Sequence, residues 1–357
     1  MMNHDAAQEP AAAAKKARSV VFLYSKAYFD VLRSLPVHRE RERMTLALVH
    51  ALGLHAQLQF LAPTPATRAQ LEAFHSSEYV DALAKPSAND NGDGEALQTF
   101  GLVNDAYVFP RLFEYCCSVA GASLTAADAL AHLMRSRVRG DSATQQPVVI
   151  NLGGGRHHAM RGNASGICYV NDVVLAIQRL QTKFKGASIL CVDMDVHHGD
   201  GVQEAFYHSD SVTMISFHQF EPGFFPHTGA SSEIGSGRGK YRTVNVPLRR
   251  GITDDAYTKL FDRVVGHTVH KLQPAVLVLV CGVDTLARDP LGGFNLTSAG
   301  ICACVETCLS FHLPMLLLGA GGYSDVDASK CYAEVVATVL GARQSLPERI
   351  PEHTFYP

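Results

Sequence analysis

Six short, nearly unbroken apolar runs recur along this chain, and longer amphipathic stretches separate them. The runs are Val20–Leu23, Val148–Leu152, Ser188–Val192, Val212–Phe217, Val276–Cys281 and Met315–Leu318, with weaker candidates at Leu58–Leu61 and Thr243–Val246. A strand without polar alternation is covered on both faces, which is the condition of a strand inside a parallel sheet. The intervening stretches carry apolar residues at helical spacing: Arg39–Leu52, Phe113–Met134, Asn171–Phe184, Asp254–Leu272, Thr297–Phe311 and Asp325–Leu340. In Asn171–Phe184, for example, Val174, Ile177, Leu180 and Phe184 fall on one face. Strand and helix alternating on this scale predict an α/β fold, a parallel sheet with helices on both faces.

Among the 357 residues, 47% are hydrophobic and 18% charged, enough apolar side chain for a large core and too much for a disordered chain. With 31 basic against 34 acidic side chains, bulk charge offers no grip on nucleic acid, and no direct nucleic-acid partner is expected. No apolar run approaches the roughly 18 residues of a membrane span, Pro274–Val283 being among the longest, so no membrane partner is expected either. The start of the chain is Ala-rich with two lysines and lacks the apolar centre of a secretory signal. The nine cysteines form no CxxC pair and sit mostly in apolar segments, as small buried hydrophobes in a reducing compartment do. The expectation is a soluble intracellular protein, nuclear, cytoplasmic or both; Lys15-Lys16-Ala17-Arg18 is too short to serve as a nuclear signal. Residues 1–18 read as a flexible tail, and Ser87–Glu95, Arg139–Gln146 and Gly235–Gly239 as loops. None of these separates two self-sufficient cores, so residues 19–357 read as one domain.

Four segments carry chemistry, and each follows the carboxyl end of a candidate strand. After Ser188–Val192 comes Asp193-Met194-Asp195-Val196-His197-His198-Gly199-Asp200-Gly201. In extended chain Asp193, Asp195 and His197 point one way, and Met194 and Val196 point the other. Two carboxylates and an imidazole on one side repel and desolvate unless a cation or hydrogen-bond partners fill the space. A mixed carboxylate–imidazole set suits Zn²⁺ or Fe²⁺ better than Mg²⁺ or Ca²⁺. After Val148–Leu152 comes Gly153-Gly154-Gly155-Arg156-His157-His158, a glycine turn leading into paired histidines that can serve as bases, ligands or a structural pair. After Val276–Cys281 comes Gly282-Val283-Asp284-Thr285, and after Met315–Leu318 comes Gly319-Ala320-Gly321-Gly322-Tyr323. Taken alone, Asp284 reads as a cap and Tyr323 as an ordinary half-buried aromatic. Four such segments at one sheet edge, where open α/β sheets bind ligands, make a site.

GGGRHHA, ASGICYVND, VDMDVHHGDG, PGFFPHTG, DPLGGFNLT and GAGGY occur in this order. From about Val20 to the C-terminus the chain resembles a class I zinc-dependent histone deacetylase. The resemblance implies the arginase/deacetylase fold, a single α/β domain around an eight-stranded parallel sheet, and hydrolysis of Nε-acetyl-lysine. It implies Asp195, His197 and Asp284 as ligands of Zn²⁺, with Fe²⁺ left open by ligand type. His157 and His158 become the paired catalytic histidines, oriented by Asp193 and Asp200, and Tyr323 the oxyanion stabiliser. In that chemistry the metal activates a water, His158 acts as general base and then acid, and His157 steadies developing charge. Asp105 matches the rim aspartate that holds the substrate backbone. Gly166, Phe225 and Leu291 match walls of the acyl-lysine tunnel, and Arg41 matches the arginine beneath the site. A structural or regulatory K⁺ is implied near the metal, held by Asp193, Asp195, His197, Ser216 and Phe217. Acetylated protein lysines, histones among them, are the implied substrates, and a corepressor-type complex the implied partner.

Four positions depart from the family pattern. Ile167 replaces an aromatic that faces Phe225 across the tunnel, so altered acyl preference and a weaker grip on the lysine chain are expected. Arg156 replaces an apolar residue before the histidine pair; with Arg41 it either holds an anion such as departing acetate or pairs with a local carboxylate. Arg288 replaces a small residue, and Ala320 replaces one glycine of the run before Tyr323. His198 and His218 read as satisfied structural histidines. The same metal site would serve an acetylpolyamine or other small-molecule amidohydrolase. A binuclear arginase-like hydrolase needs further ligands, and a catalytically weak scaffold would not need the complete residue set.

Overall fold

The computed structural model describes residues 18–37, 39–85, 94–138 and 146–355. All eight candidate strands form: β1 (Arg18–Leu23), β2 (Gln59–Leu61), β3 (Gln146–Asn151), β4 (Ile189–Asp193), β5 (Val212–Gln219), β6 (Thr243–Leu248), β7 (Val276–Val280) and β8 (Met315–Leu318). They make one sheet in the order β2-β1-β3-β8-β7-β4-β5-β6, and every pairing is parallel. This is the arginase/deacetylase architecture. β1 begins at Arg18, the last residue of the expected tail; residues 1–17 lie outside the described residues, as do 87–93 and 139–145 of two of the three expected loops.

The central strands are apolar on both faces because both faces are covered. Every residue of β3, β4, β5, β7 and β8 is buried. At about 1.5–3 kcal/mol for each fully buried Val, Leu or Ile, such strands have no favourable exposed alternative. The helix Leu112–Val138 is the longest and is apolar enough over Leu112–Ser136 to satisfy the length and composition of a membrane span, contrary to the sequence expectation. It lies against β3 and the helix Asp172–Lys183, with 67% of its most apolar stretch buried inside the protein.

Register places the site. Asn151 pairs with Leu318, Leu318 with Val280, Val280 with Asp193, and Asp193 with Ser216. This row runs along the carboxyl edge of five adjacent strands, and the four chemistry-bearing segments leave the sheet from it. The edge is then capped by helices. Asn171 caps Asp172–Lys183 by accepting from Val174 N–H, while its amide donates to the carbonyls of His157 and Ala159. Asp172 accepts the N–H groups of Gly155 and Arg156, at 3.0 and 2.7 Å. The glycine turn before the histidine pair is thereby tied to a neighbouring helix rather than left to its own flexibility.

Candidate active site and metal centre

Asp195, His197 and Asp284 converge with one ligand atom each inside 4.8 Å, and all three are buried. Nδ1 of His197 lies 3.1 Å from Asp195 Oδ1 and 3.2 Å from Asp284 Oδ2. The extended-chain argument accounts for only part of this. β4 ends at Asp193, and the chain bends through Asp195–His197. Asp193 turns to His157 rather than joining the triad, and Asp284 arrives from the segment after β7, donated to by Val196 N–H at 2.9 Å. A Cβ on Gly321 would stand 2.1 Å from Asp284 Oδ2 and 2.7 Å from Asp195 Oδ2, so the loop after β8 approaches both carboxylates as only glycine permits.

These residues fit a divalent cation. Burial and the neighbouring Asp195 push Asp284 up to about 8, a proton affinity no carboxylate has in water. Burial would depress His197, but Asp195 and Asp284 hold it up to about 10. Three mutually compensating acceptors in a dry site exchange protons for a metal ion when one binds.

The paired histidines are set differently from each other. His157 Nδ1 contacts Asp193 Oδ2 at 2.6 Å, and His158 Nδ1 contacts Asp200 Oδ1 at 2.7 Å, their rings 4.0 Å apart. Burial opposes charge on both. For His157 the attraction of Asp193 and Asp195 outweighs it, raising the imidazole to about 9. For His158 burial and the charge of His157 prevail over Asp200, and its pKa falls. Neighbouring titratable groups driven apart mark an acid–base division of labour. Burial, reinforced by Asp195 and Asp284, keeps the Tyr323 phenol protonated far above neutral pH. Asp289 accepts the Tyr323 N–H at 2.7 Å and those of Leu291 and Gly292 at 2.9 and 3.3 Å, joining the tyrosine loop to the loop that carries Leu291.

A model of the histone deacetylase domain matches residues 35–339. Histone deacetylase 8 of Danio rerio is 38% identical over 96% of this chain and 86% of its own length. Histone deacetylase 8 of Xenopus tropicalis is 38% identical over 94% and 87%, and histone deacetylase 9 of Arabidopsis thaliana 39% over 90% and 72%. The chain belongs to the histone deacetylase family. It is a class I member and a lysine deacetylase, an amide hydrolase.

In this deacetylase Gly166, Phe225 and Phe224 lie against His158 and His197. A Cβ on Gly166 would stand 2.4 Å from His158 Cδ2 and 3.0 Å from Phe225 Cε1, placing Gly166 between them. Phe225 meets His158 edge-on at 5.0 Å, and Phe224 stacks on His197 at 5.2 Å. Ile167 is half-buried at φ +61°, a left-handed conformation that is costly for a β-branched side chain. Leu291 is 45% exposed and Asp105 is exposed. Ser216 Oγ bonds His218 Nδ1 at 2.9 Å, while the Phe217 ring packs on Tyr257 and Phe261. His198 and His218 are satisfied by Thr228, Gln203, Ser216 and the Gly229 carbonyl, as structural histidines should be.

Beneath the site the two arginines part company. Arg41 pairs with Glu42 at 2.8 Å and donates to the Ala320 and Gly322 carbonyls at 2.8 and 3.2 Å. Arg156 makes no ion pair among the described residues, so the local-carboxylate alternative is not what the structure builds. Ala320 sits at φ +147°, a glycine conformation, and Arg288 is an exposed partner of Asp327 at 3.9 Å. Sequence reasoning missed Asn171, Asp172, Glu42 and Asp289. Three of these lie within or beside motifs already singled out: Asn171 and Asp172 in YVND, and Asp289 at the head of DPLGGFNLT.

Proposed function

We propose that Asp195, His197 and Asp284 hold Zn²⁺ and that His158, His157 and Tyr323 carry out the hydrolysis of acetyl-lysine in proteins, histones included. When bound, the cation supplies Lewis-acid polarisation of the amide carbonyl and a lowered water pKa. The lysine chain enters between Gly166 and Phe225, and the exposed Asp105 holds the peptide backbone at the rim. His158, neutral at pH 7 and anchored through Nδ1 to Asp200, offers Nε2 to take the proton of the attacking water and pass it to the leaving amine. His157, held as imidazolium by Asp193, steadies the negative charge that develops. The Tyr323 hydroxyl donates to the oxyanion. Asp193, Asp195, His197, Ser216 and Phe217 supply oxygens for K⁺ beside the metal. The enzyme acts in the nucleus, the cytoplasm or both, and a corepressor-type complex is its partner.

The observation that carries this reading is the adjacent, tilted pair of buried histidines, each anchored through Nδ1 to its own aspartate, beside a buried three-ligand cluster. The test is turnover of an acetyl-lysine peptide by metal-loaded protein, with elemental analysis of the bound ion. Metal-dependent release of acetate, leaving an unacetylated lysine in the peptide and abolished in Asp195→Ala, is expected. A folded, metal-loaded protein that leaves the acetyl group in place sinks the reading.

A further inference from the structure

Arg156 is 5% exposed, and its guanidinium has one hydrogen bond among the described residues, a long one of 3.4 Å from Nη2 to the Gly153 carbonyl. Its Nε has no partner. A guanidinium cannot shed its proton, so a buried one without an acceptor is costly unless an anion completes the site. A second orphaned donor belongs to the same region. Tyr115 Oη is wholly buried and has no partner among the described residues. Burial works against charge on Arg156; Tyr115, Cys168, Glu42 and Asp172, in that order, work for it. Neither acid neutralises Arg156 by contact. Glu42 is committed to Arg41, and both oxygens of Asp172 are engaged by Ser123 and by the backbone of Gly155 and Arg156.

This excess of buried positive charge adjoins the reaction centre. Arg156 directly precedes His157 and acts on the Tyr323 phenol against the effect of burial. Arg41 braces the loop of Tyr323 from below through the Ala320 and Gly322 carbonyls. An acyl group whose carbonyl met Tyr323 would bring its far end into the field of Arg156, which the Tyr323 phenol already feels.

We propose that Arg156 and Tyr115 form a carboxylate-binding subsite that selects acyl-lysines whose acyl chain ends in a carboxylate. The inference rests on the deacylase reading of the site above. The reaction is unchanged in kind: the water oxygen bonds to the acyl carbon, the C–N bond breaks, the proton passes to the lysine amine, and a dicarboxylate leaves.

The test compares malonyl- with propionyl-lysine and succinyl- with butyryl-lysine, one peptide sequence and equal acyl carbon counts, on metal-loaded enzyme. The expected result is a kcat/KM for the acidic member at least ~10-fold above its neutral partner in one pair, the scale of a charge-assisted hydrogen bond. Arg156→Leu should collapse that ratio, and Tyr115→Phe, which removes only the hydroxyl, should reduce it. Fluorescence anisotropy of the same peptides gives a readout independent of turnover, and the acidic peptides should bind more tightly. Equal or better cleavage and binding of the neutral member in both pairs overturns the subsite, as does an acidic preference that survives Arg156→Leu. Failure of the parent reading would look different: no acetyl-lysine turnover, with the binding comparison still deciding the subsite.

Discussion

Asp193 Oδ2 lies 2.6 Å from Nδ1 of His157, and the other oxygen of the same carboxylate accepts the backbone N–H of Asp195 at 3.0 Å. One side chain at the end of β4 thus holds His157 towards its charged form and fixes the path of the segment that carries Asp195 and His197. Asp193→Asn keeps the shape and removes the charge. Turnover should fall about 10- to 100-fold, the scale of losing such a supporting partner. His157 is raised chiefly because Asp193 outweighs burial, so the variant should lose its imidazolium at lower pH. The basic limb of the kcat/KM profile should move towards acid; an unmoved limb would separate His157 from the rate.

Burial keeps the Tyr323 phenol protonated far above neutral pH, and in the proposed mechanism it donates to the oxyanion. Tyr323→Phe should lower kcat by ~10²–10³ with bound metal unchanged, because the lost hydrogen bond forms in the transition state. Parallel elemental analysis and kinetics check this. Loss of metal alongside activity would give the tyrosine a structural role instead.

Gly321 stands where a methyl group would collide with two carboxylates at once. Gly321→Ala should therefore reduce metal occupancy well below one per chain after dialysis, while circular dichroism remains that of a folded α/β protein. Full occupancy would show that the loop after β8 yields more readily than its contacts suggest.

His75 is buried as a neutral ring, its Nε2 accepting from the Asn171 N–H at 3.0 Å and its Nδ1 facing the Arg161 carbonyl at 3.3 Å. Burial lowers it to about 4 against an ordinary 6.5, the carbonyls of Arg161 and Met160 opposing only in part. Below 6.5 the unfolded chain binds a proton that the folded one refuses. Its contribution is fully present above pH 6.5 and is lost as pH falls towards 4, amounting to roughly 3 kcal/mol. Urea unfolding at pH 7 and pH 4.5 should show the loss, and His75→Gln should flatten it. An equal slope in both proteins would remove His75 from the acid response.

The eight strands and six long helices were legible in the sequence to within a few residues because most strand runs are nearly unbroken apolar segments and the helices are long enough to show their period; β2 and β6 gave weaker signals. The short helices Lys26–Leu32, Ser77–Ala84 and Asp200–Phe206 were not, since two turns show too little periodicity. Asp195, His197 and Asp284, which the structure gathers into one buried cluster, and His157, His158 and Tyr323 all stand in glycine-marked segments behind strands, which is why the sequence singles them out. Asp289 and Asn171 escaped notice because what they hold is backbone, which leaves no pattern in side-chain types.

Sequence alone determined that a parallel sheet would form and that its carboxyl edge would carry a mixed carboxylate–imidazole site. Both follow from local rules, apolar runs and the chemistry of adjacent side chains. Tertiary structure alone decided the strand order, which brings Asp284 beside Asp195 across 89 positions. It also decided which buried arginine found a carboxylate. Arg41 and Glu42 meet because the helix Arg41–Ala51 presents them together beneath the loop of Tyr323, and Arg156 is left without a carboxylate and with its Nε unmet. Sequence neighbours such as Arg41 and Glu42 can pair locally, but whether a carboxylate is left over for Arg156 depends on what else that carboxylate contacts in space.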